Sequence, residues 1–309
     1  MNKIKSNTVN NVNKILNINK IVNVNKIVNL NKIVNVYQQS YKNAPGGGIG
    51  DFIRGCFFLL QFCIFNNIRF DIDYNNHPIS KFLYKKNNIV DESIMYNTIL
   101  YYYPDNNKND DKNNNVFIND FINYLNKLNT SNTKYIFSNN YPIKKINDFE
   151  RQFILNKFLP NEELICSVNS ELTKINIIEK QFSVIHIRLG DSILLDNEKI
   201  QNNTLLKILN IILKNIEINN KKKYLLLSDS NDIKIFLKQK FENLVINLNK
   251  IVHLASKIDE YESVKSTLTD FFIMSKSNYI YSLSIYDHGS GFSEYCSVLN
   301  NIPYTFYKI

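Results

Sequence analysis

The sequence predicts an α/β fold in two halves that face each other across a cleft, with a low-complexity extension ahead of them. Two observations carry that prediction. In the C-terminal half, apolar strands alternate with amphipathic helices, which is the pattern of a parallel sheet covered by helices. The N-terminal half opens in the same way, with a strand, a glycine turn, a buried helix and a second strand. The expected divisions are residues 1–32 for the extension, 33–160 for the first α/β domain and 161–309 for the second.

The extension is built on a hexapeptide repeat, NKIVNV, NKIVNL, NKIVNV, over Asn19 to Val36. Six residues match neither a heptad nor a solenoid period. The repeat reads as a replication-slippage expansion that stays mobile, with a tether or a self-associating β segment as the alternative. Its last copy, Ile33 to Tyr37, is expected to become a core strand.

APGGGIGDFIRG, Ala44 to Gly55, then runs into the apolar FFLLQFCIF. This reads as a glycine loop, a buried helix and a strand over Ile68 to Asp73. Gly48 and Gly50 let a backbone come close to a ligand. The helix start leaves N–H groups free, and Arg54 follows one turn later, so an anion fits there. A tight turn into a core helix is the competing reading. Asn106 to Asn115, NNKNDDKNNN, reads as a surface loop without chemistry. Lys134 to Ser138 reads as a strand and Ile146 to Leu159 as a helix, and Pro160 marks the crossing between halves.

Beyond Pro160 the order is strand Phe182 to Arg188, helix Thr204 to Ile216, strand Lys223 to Ser228, helix Asn231 to Phe241, strand Lys250 to Leu254, helix Ser263 to Lys276 and strand Tyr279 to Ser282. A ligand is expected in the cleft between the halves.

Composition narrows the function classes. With 309 residues and 44% hydrophobic content, the chain can fill real cores. The excess of Asn, Lys and Ile reads as the trace of an AT-rich genome, so Asn runs are discounted as structural signals. The net charge of +9 favours anionic partners, yet Lys144, Lys145 and Lys221 to Lys223 read as solvated turns. No block of basic and aromatic residues, zinc-finger spacing or basic helix points to nucleic acid. Cys56, Cys63, Cys166 and Cys296 form no Cys-x-x-Cys pair and read as buried thiols in a reducing compartment. The longest apolar stretch, Cys56 to Phe65, is shorter than the ~20 residues of a spanning helix, and no signal peptide is visible. A soluble, cytoplasmic protein without a membrane span is expected.

The most informative stretch is VIHIRLGD, Val184 to Asp191. It ends an apolar strand in His186, Arg188, Gly190 and Asp191, at the edge where α/β sheets bind phosphate-bearing ligands. Arg188 offers a planar fork of donors suited to two phosphate oxygens. No Asp-x-Asp metal motif accompanies this strand end: Asp71 and Asp73 alternate with Ile72, which turns one of the two inward, but they lie in the other half, and metal-independent chemistry is expected. His77 and His253 read as surface or core histidines and receive no role.

Four segments in order, GGGIGD, HIRLGD, LLLSDSNDIKIFL and TDFFIMSKSNYIYSLSIYDHGSGFSEYCSVL, resemble inverting fucosyltransferases that use GDP-fucose. The resemblance spans roughly Gly46 to Leu299. The His-x-Arg-x-Gly-Asp element is shared by the α1,2-, α1,6- and protein O-fucosyltransferases. The spacing of Ser228-Asp229, and of Asp270, Met274 and Ser275 to Phe292-Ser293, looks nearest the α1,2 group. The resemblance implies a GT-B-like arrangement of two Rossmann-like domains, with an acceptor-side domain over 33–160 and a nucleotide-sugar-binding domain over 161–309. It implies that Arg188 holds the diphosphate, that His186 and Asp191 shape the same loop, and that Asp229 lies near the nucleotide. Ser290, Phe292 and Ser293 match a Ser-x-Phe-Ser segment whose hydroxyls and helix-start N–H groups bind phosphate oxygens, and Gly48 to Asp51 matches the glycine loop. GDP-fucose enters as donor substrate, a glycan as acceptor, and no cofactor is implied.

Three departures stand out. Leu189 occupies a position where many members carry a second Arg, and Arg54 is the candidate to supply the missing charge. The glycine loop reads Gly-Asp where the α1,2 group has Gly-Asn-Gln. Asp287-His288-Gly289 precedes Ser290, with His288 either a binding or a loop residue. The general base is open among Asp51, His186 and Asp191. The rival reading is a non-catalytic carbohydrate-binding or structural protein on a degenerate glycosyltransferase fold, and a third is the same architecture with another nucleotide sugar. If the repeat stands outside the fold, deleting residues 1–30 leaves the thermal melting temperature almost unchanged; a large drop in a melting experiment would make the repeat part of the fold.

Overall fold

The computed structural model describes residues 30–37, 47–84, 118, 121–126, 132–196, 199–216, 218, 222–255 and 260–309. The repeat ahead of Leu30 and the polar stretch Asn106 to Asn115 lie outside the described residues. Two parallel sheets organise the rest. The first has three strands, β1 (Lys32–Val36), β2 (Arg69–Asp73) and β3 (Thr133–Ile136), in the order β2-β1-β3. The second has five, β4 (Phe182–Arg188), β5 (Lys223–Ser228), β6 (Leu244–Ile246), β7 (Tyr279–Ser284) and β8 (Tyr304–Lys308), in the order β6-β5-β4-β7-β8. From β4 the chain runs outward to β5 and β6, then returns to β7 on the other side. The carboxyl ends of β4 and β7 therefore flank a topological switch point, where open α/β sheets bind ligands.

Helices fill the connections: α1 (Ile49–Asn66), α2 (Asp148–Leu155), α3 (Glu162–Lys174), α4 (Asp191–Asp196), α5 (Asn202–Asn215), α6 (Asn231–Lys240), α7 (Tyr261–Ser275) and α8 (Gly291–Asn300). The strand β4 shows why the second sheet is apolar on both faces. Val184 joins the core shared with the first sheet, whereas Ile185 and Ile187 join the core under α5 and α6. The shared core contains Phe52 and Phe57 of α1, Leu225 and Leu227 of β5, and Phe271 and Tyr295 of the helices between the sheets.

The helix α1 is 18 residues long and apolar enough to cross a membrane by length and composition, longer than the Cys56 to Phe65 run suggests. Most of it is buried inside the protein, as expected for a core helix. It packs on the first sheet on one side and on α8 on the other. The α1–α8 approach is close: a Cβ on Gly50 would lie 2.0 Å from the Gly291 carbonyl oxygen. Gly50 therefore serves a helix crossing, a role the sequence did not suggest. Gly48 is different, because a Cβ there meets nothing nearer than Asp51 Oδ2 at 3.5 Å.

Asparagines set aside as compositional noise hold local structure. Asn147 and Glu150 form a reciprocal capping box on α2, and the Asn161 side chain caps α3. Asn67 and Asn301 end α1 and α8 in the left-handed region, with φ of 55° and 52°. Asn35, buried in β1, accepts from the Ser138 N–H at 3.0 Å and donates to Cys56 Sγ at 3.2 Å.

Three expectations change. Lys250 to Leu254 is loop, since the place beside β5 is taken by β6 at Leu244–Ile246. Tyr304–Lys308 adds a fifth strand that the alternation did not predict. Cys56, Cys63 and Cys296 are buried, but Cys166 is exposed on α3. Asp71 and Asp73 are both buried, and Asp71 pairs with Lys32 at 3.1 Å and Lys157 at 2.6 Å.

The α1–α8 crossing yields a stability test. Gly50→Ala is expected to cost about 3 kcal/mol, because the methyl meets backbone that cannot rotate away. Gly48→Ala is expected to cost well under about 1 kcal/mol. Chemical denaturation of both variants checks this, and equal costs would remove the crossing as the reason for Gly50.

Candidate active site

The site begins where β4 ends. Gly190 turns the chain at φ +105°, a region that favours glycine, and a Cβ there would lie 2.7 Å from Ile285 Cδ1. Asp229, the residue after β5, reaches across to this turn. Its carboxylate accepts the N–H groups of Leu189 at 3.0 Å and Gly190 at 3.1 Å, and Arg188 Nη1 at 2.5 Å. The Asp229 side chain is 4% exposed, so these charge-assisted bonds form largely out of water. Arg188 Nη2 pairs with Asp191 at the start of α4. Arg188 is thus fixed in plane at the carboxyl edge of the sheet, with one carboxylate behind it and a second, exposed one in front.

A cavity of about 330 Å³ opens in front of Arg188. Its walls come from both sheets: Gly48 to Asp51 from the start of α1, Arg188 and Asp191 from β4 and α4, and Gly289 to Phe292 from the start of α8. The loop Ile251 to Leu254 and Asp270 of α7 close the remaining side. The N-termini of α1 and α8 both border this space, and Ser290, the residue capping α8, spends its hydroxyl on no backbone N–H of the helix.

The structure brings most of the predicted residues together. Arg188, His186, Asp191 and Asp51 line the cavity, as do Gly48, Gly50, Asp229, Ser290 and Phe292. Arg54 and Ser293 do not. The Arg54 guanidinium donates to the Asn139 carbonyl at 2.6 Å, pairs with Asp51 at 3.1 Å and stacks on Tyr141. It orients Asp51 and supplies no free charge beside Arg188. Ser293 is fully buried, donating to Ser282 Oγ at 2.9 Å, so its hydroxyl is turned into the core. Asp229 lines the cavity, but its oxygens are taken by the β4 turn, which makes it a positioning residue for Arg188.

Burial sets the protonation states. His186 is 6% exposed beside the Phe292 ring, and burial together with the nearby Arg188 charge pushes its pKa down to about 3. It is a neutral imidazole whose Nδ1 has no hydrogen-bond partner among the described residues. Burial pushes Asp270 up to about 6, against the pull of Lys234 and of the Asn247 amide, which donates to its Oδ1 at 2.7 Å.

Three further lining residues, His253, Asp270 and Tyr286, received no site role from the sequence, and His288, left open between a binding and a loop residue, also lines the cavity. Asp270 had a readable signal, a carboxylate on the same helix face as Thr267 and Met274, both buried. His253 had none, because the apolar run around it reads as a strand. Among the described residues no group of three His, Cys, Asp or Glu side chains is placed to hold a metal ion.

No family profile matches the sequence, and no curated protein matches it. Solved structures do match. Fucosyltransferase NodZ from Bradyrhizobium superposes with a TM-score of 0.55 at 12% identity, covering 91% of this chain and 95% of its own. NodZ alpha-1,6-fucosyltransferase co-crystallised with GDP gives 0.53 at 12% identity, over 87% and 92%. A mutant of Arabidopsis thaliana FUT1 in complex with GDP gives 0.54 at 11% identity, over 91% and 71%. At these identities the likeness is one of fold: the chain has the GT-B-like architecture of these proteins, two Rossmann-like parallel sheets with a cavity at their carboxyl edges.

Proposed function

We propose that this protein is an inverting glycosyltransferase that moves fucose from GDP-fucose to a glycan hydroxyl. The observation that carries the reading is Arg188, locked by Asp229 at the switch point of the second sheet and facing a cavity whose opposite wall is the start of α1. The reading is supported by the His-x-Arg-x-Gly-Asp segment and by a fold shared with NodZ, whose structure includes GDP.

Inverting displacement places the acceptor oxygen and the leaving diphosphate on opposite faces of the anomeric carbon. Negative charge grows on the diphosphate in an oxocarbenium-like transition state, and a fixed guanidinium stabilises it without reorganising. On the facing wall, Asp51 is held by Arg54 and remains partly exposed. It is our candidate for the general base that takes the acceptor's proton. His186 is buried beside the Phe292 ring, and Asp191 stands on the Arg188 side of the cavity, where the leaving diphosphate is held.

Asp270 suits the nucleobase. Asn247 occupies one of its oxygens, and a carboxylate in a cavity wall accepts the paired N–H donors of a guanine edge, which adenine does not present. The motif spacing favours an α1,2 linkage, whereas the matched NodZ is an alpha-1,6 enzyme. NMR of the transfer product decides the linkage.

Arg188→Ala is expected to abolish transfer and reduce GDP affinity by about 2 kcal/mol, and Arg188→Lys to impair both, since the fork is lost. Calorimetry with GDP and then GDP-fucose, with and without EDTA, measures this. Chelator-insensitive binding lost in the variant supports the donor site, and absence of binding of both GDP and GDP-fucose by the wild type would favour a non-catalytic protein on the same fold. Asp270→Asn is expected to weaken GDP by at least about tenfold and to leave the weak binding of ADP unchanged. Equal losses for both nucleotides would remove Asp270 from base recognition.

A further inference from the structure

The described wall of the cavity is short of positive charge for a diphosphate. Among the described residues four carboxylates line it, Asp51, Asp191, Asp229 and Asp270, against the one guanidinium of Arg188. The neighbouring position gives no help: Leu189 is 3% exposed and packs with Ile185 and Ile187 in the core. Arg54 is spent on Asn139, Asp51 and Tyr141.

We propose that His253 is the second cationic contact for the donor diphosphate; the inference rests on the donor reading above. Asp191 shows the geometry. Its Oδ1 is paired with Arg188 Nη2 and lies 3.9 Å from His253 Nε2, so one anionic oxygen already stands within 4 Å of both nitrogens. The Asp191 side chain is 53% exposed, whereas those of Arg188 and Asp229 are 14% and 4% exposed. Asp191 is therefore the member able to swing into solvent and yield its place to a phosphate oxygen. The loop carrying His253 is anchored on both sides. The Val252 N–H donates to Thr267 Oγ1 at 3.1 Å, and the Leu254 carbonyl lies 2.9 Å from His77 Nε2. His77 itself stacks on Tyr37.

Charged groups face His253 from four elements: Arg188 of β4, Asp191 of α4, Asp229 after β5 and Asp51 of α1. Burial and Arg188 hold the imidazole below the usual histidine range, while the three carboxylates pull the other way. In the empty site it is neutral near pH 7. A bound diphosphate favours the imidazolium, so donor binding takes up a proton. Affinity then rises as pH falls through the interval between the free and bound pKa values and is flat above it. Asp270 gains its proton near pH 6 and acts in the opposite sense, so the effect is read as a difference between variants.

The test measures GDP-fucose affinity by calorimetry at about pH 6 and about pH 8 for the wild type, His253→Gln and His253→Arg; the donor's diphosphate diester does not titrate there. The wild type is expected to exceed His253→Gln by about tenfold at the lower pH, with the ratio closing toward one at the higher. His253→Arg is expected to match or exceed the wild type at both. A ratio that does not change with pH, or no loss in His253→Gln, overturns the role of His253 while GDP-fucose binding itself upholds the donor site. As a second readout, the His253 C2–H resonance is titrated with and without sulfate, which needs neither nucleotide nor sugar. An upward shift of its midpoint supports an Arg188–His253 anion clasp even where GDP-fucose fails to bind, and an unmoved midpoint counts against it.

Discussion

The close crossing of α1 and α8 is the constraint on which the cavity depends. Gly50 and Gly291 bring the two helices into backbone contact, because a side chain at Gly50 would occupy the space of the Gly291 carbonyl. One helix leaves the carboxyl edge of the first sheet and the other leaves that of the second. Fixing their starting turns against each other sets Asp51 and Ser290 on one cavity and lets the cores of the two sheets merge around Phe52, Phe271 and Tyr295. A rigid seam of this kind positions groups from two sheets within the tolerance that chemistry needs.

Within that frame the second sheet builds the anion site by a division of labour between acids. Asp229 is buried and spends its oxygens on two backbone N–H groups and Arg188, which holds the guanidinium against the sheet edge. Asp191 meets the same guanidinium from the solvent side. Similar chemistry in two environments gives two roles: a desolvated carboxylate with full partners is structural, and an exposed one is exchangeable. Asp270, buried with Asn247 as its donor among the described residues, is the third case, its proton held more tightly than in water.

Legibility in the sequence followed how local each determinant is. The strands Phe182–Arg188 and Lys223–Ser228 match expectation at both ends, since uninterrupted apolar runs bounded by polar turns leave little choice. The Lys250 to Leu254 run carries the same apolar signature and is loop, because pairing beside β5 is decided by which segment arrives there. Its apolar residues line the cavity wall. Arg54 and Ser293 were singled out by spacing, yet their directions were set by Asn139 and Ser282, 85 and 11 residues away in the chain. The asparagines that cap α2 and α3 were legible in principle, and a biased composition hid them.

The sequence by itself determined the α/β class, the strand that presents Arg188 and the glycine turn that opposes it, because periodicity and turn chemistry act over a few residues. Only the tertiary structure decided which charges face the cavity. It turned Arg54 away, gave Asp229 to the β4 turn, and brought His253 to within 3.9 Å of Asp191, a residue 62 positions earlier in the chain. The physical reason is that charge and desolvation act through space. The field at Arg188 is the sum over groups from α1, α4, β5 and the loop before α7, and their distances follow from packing.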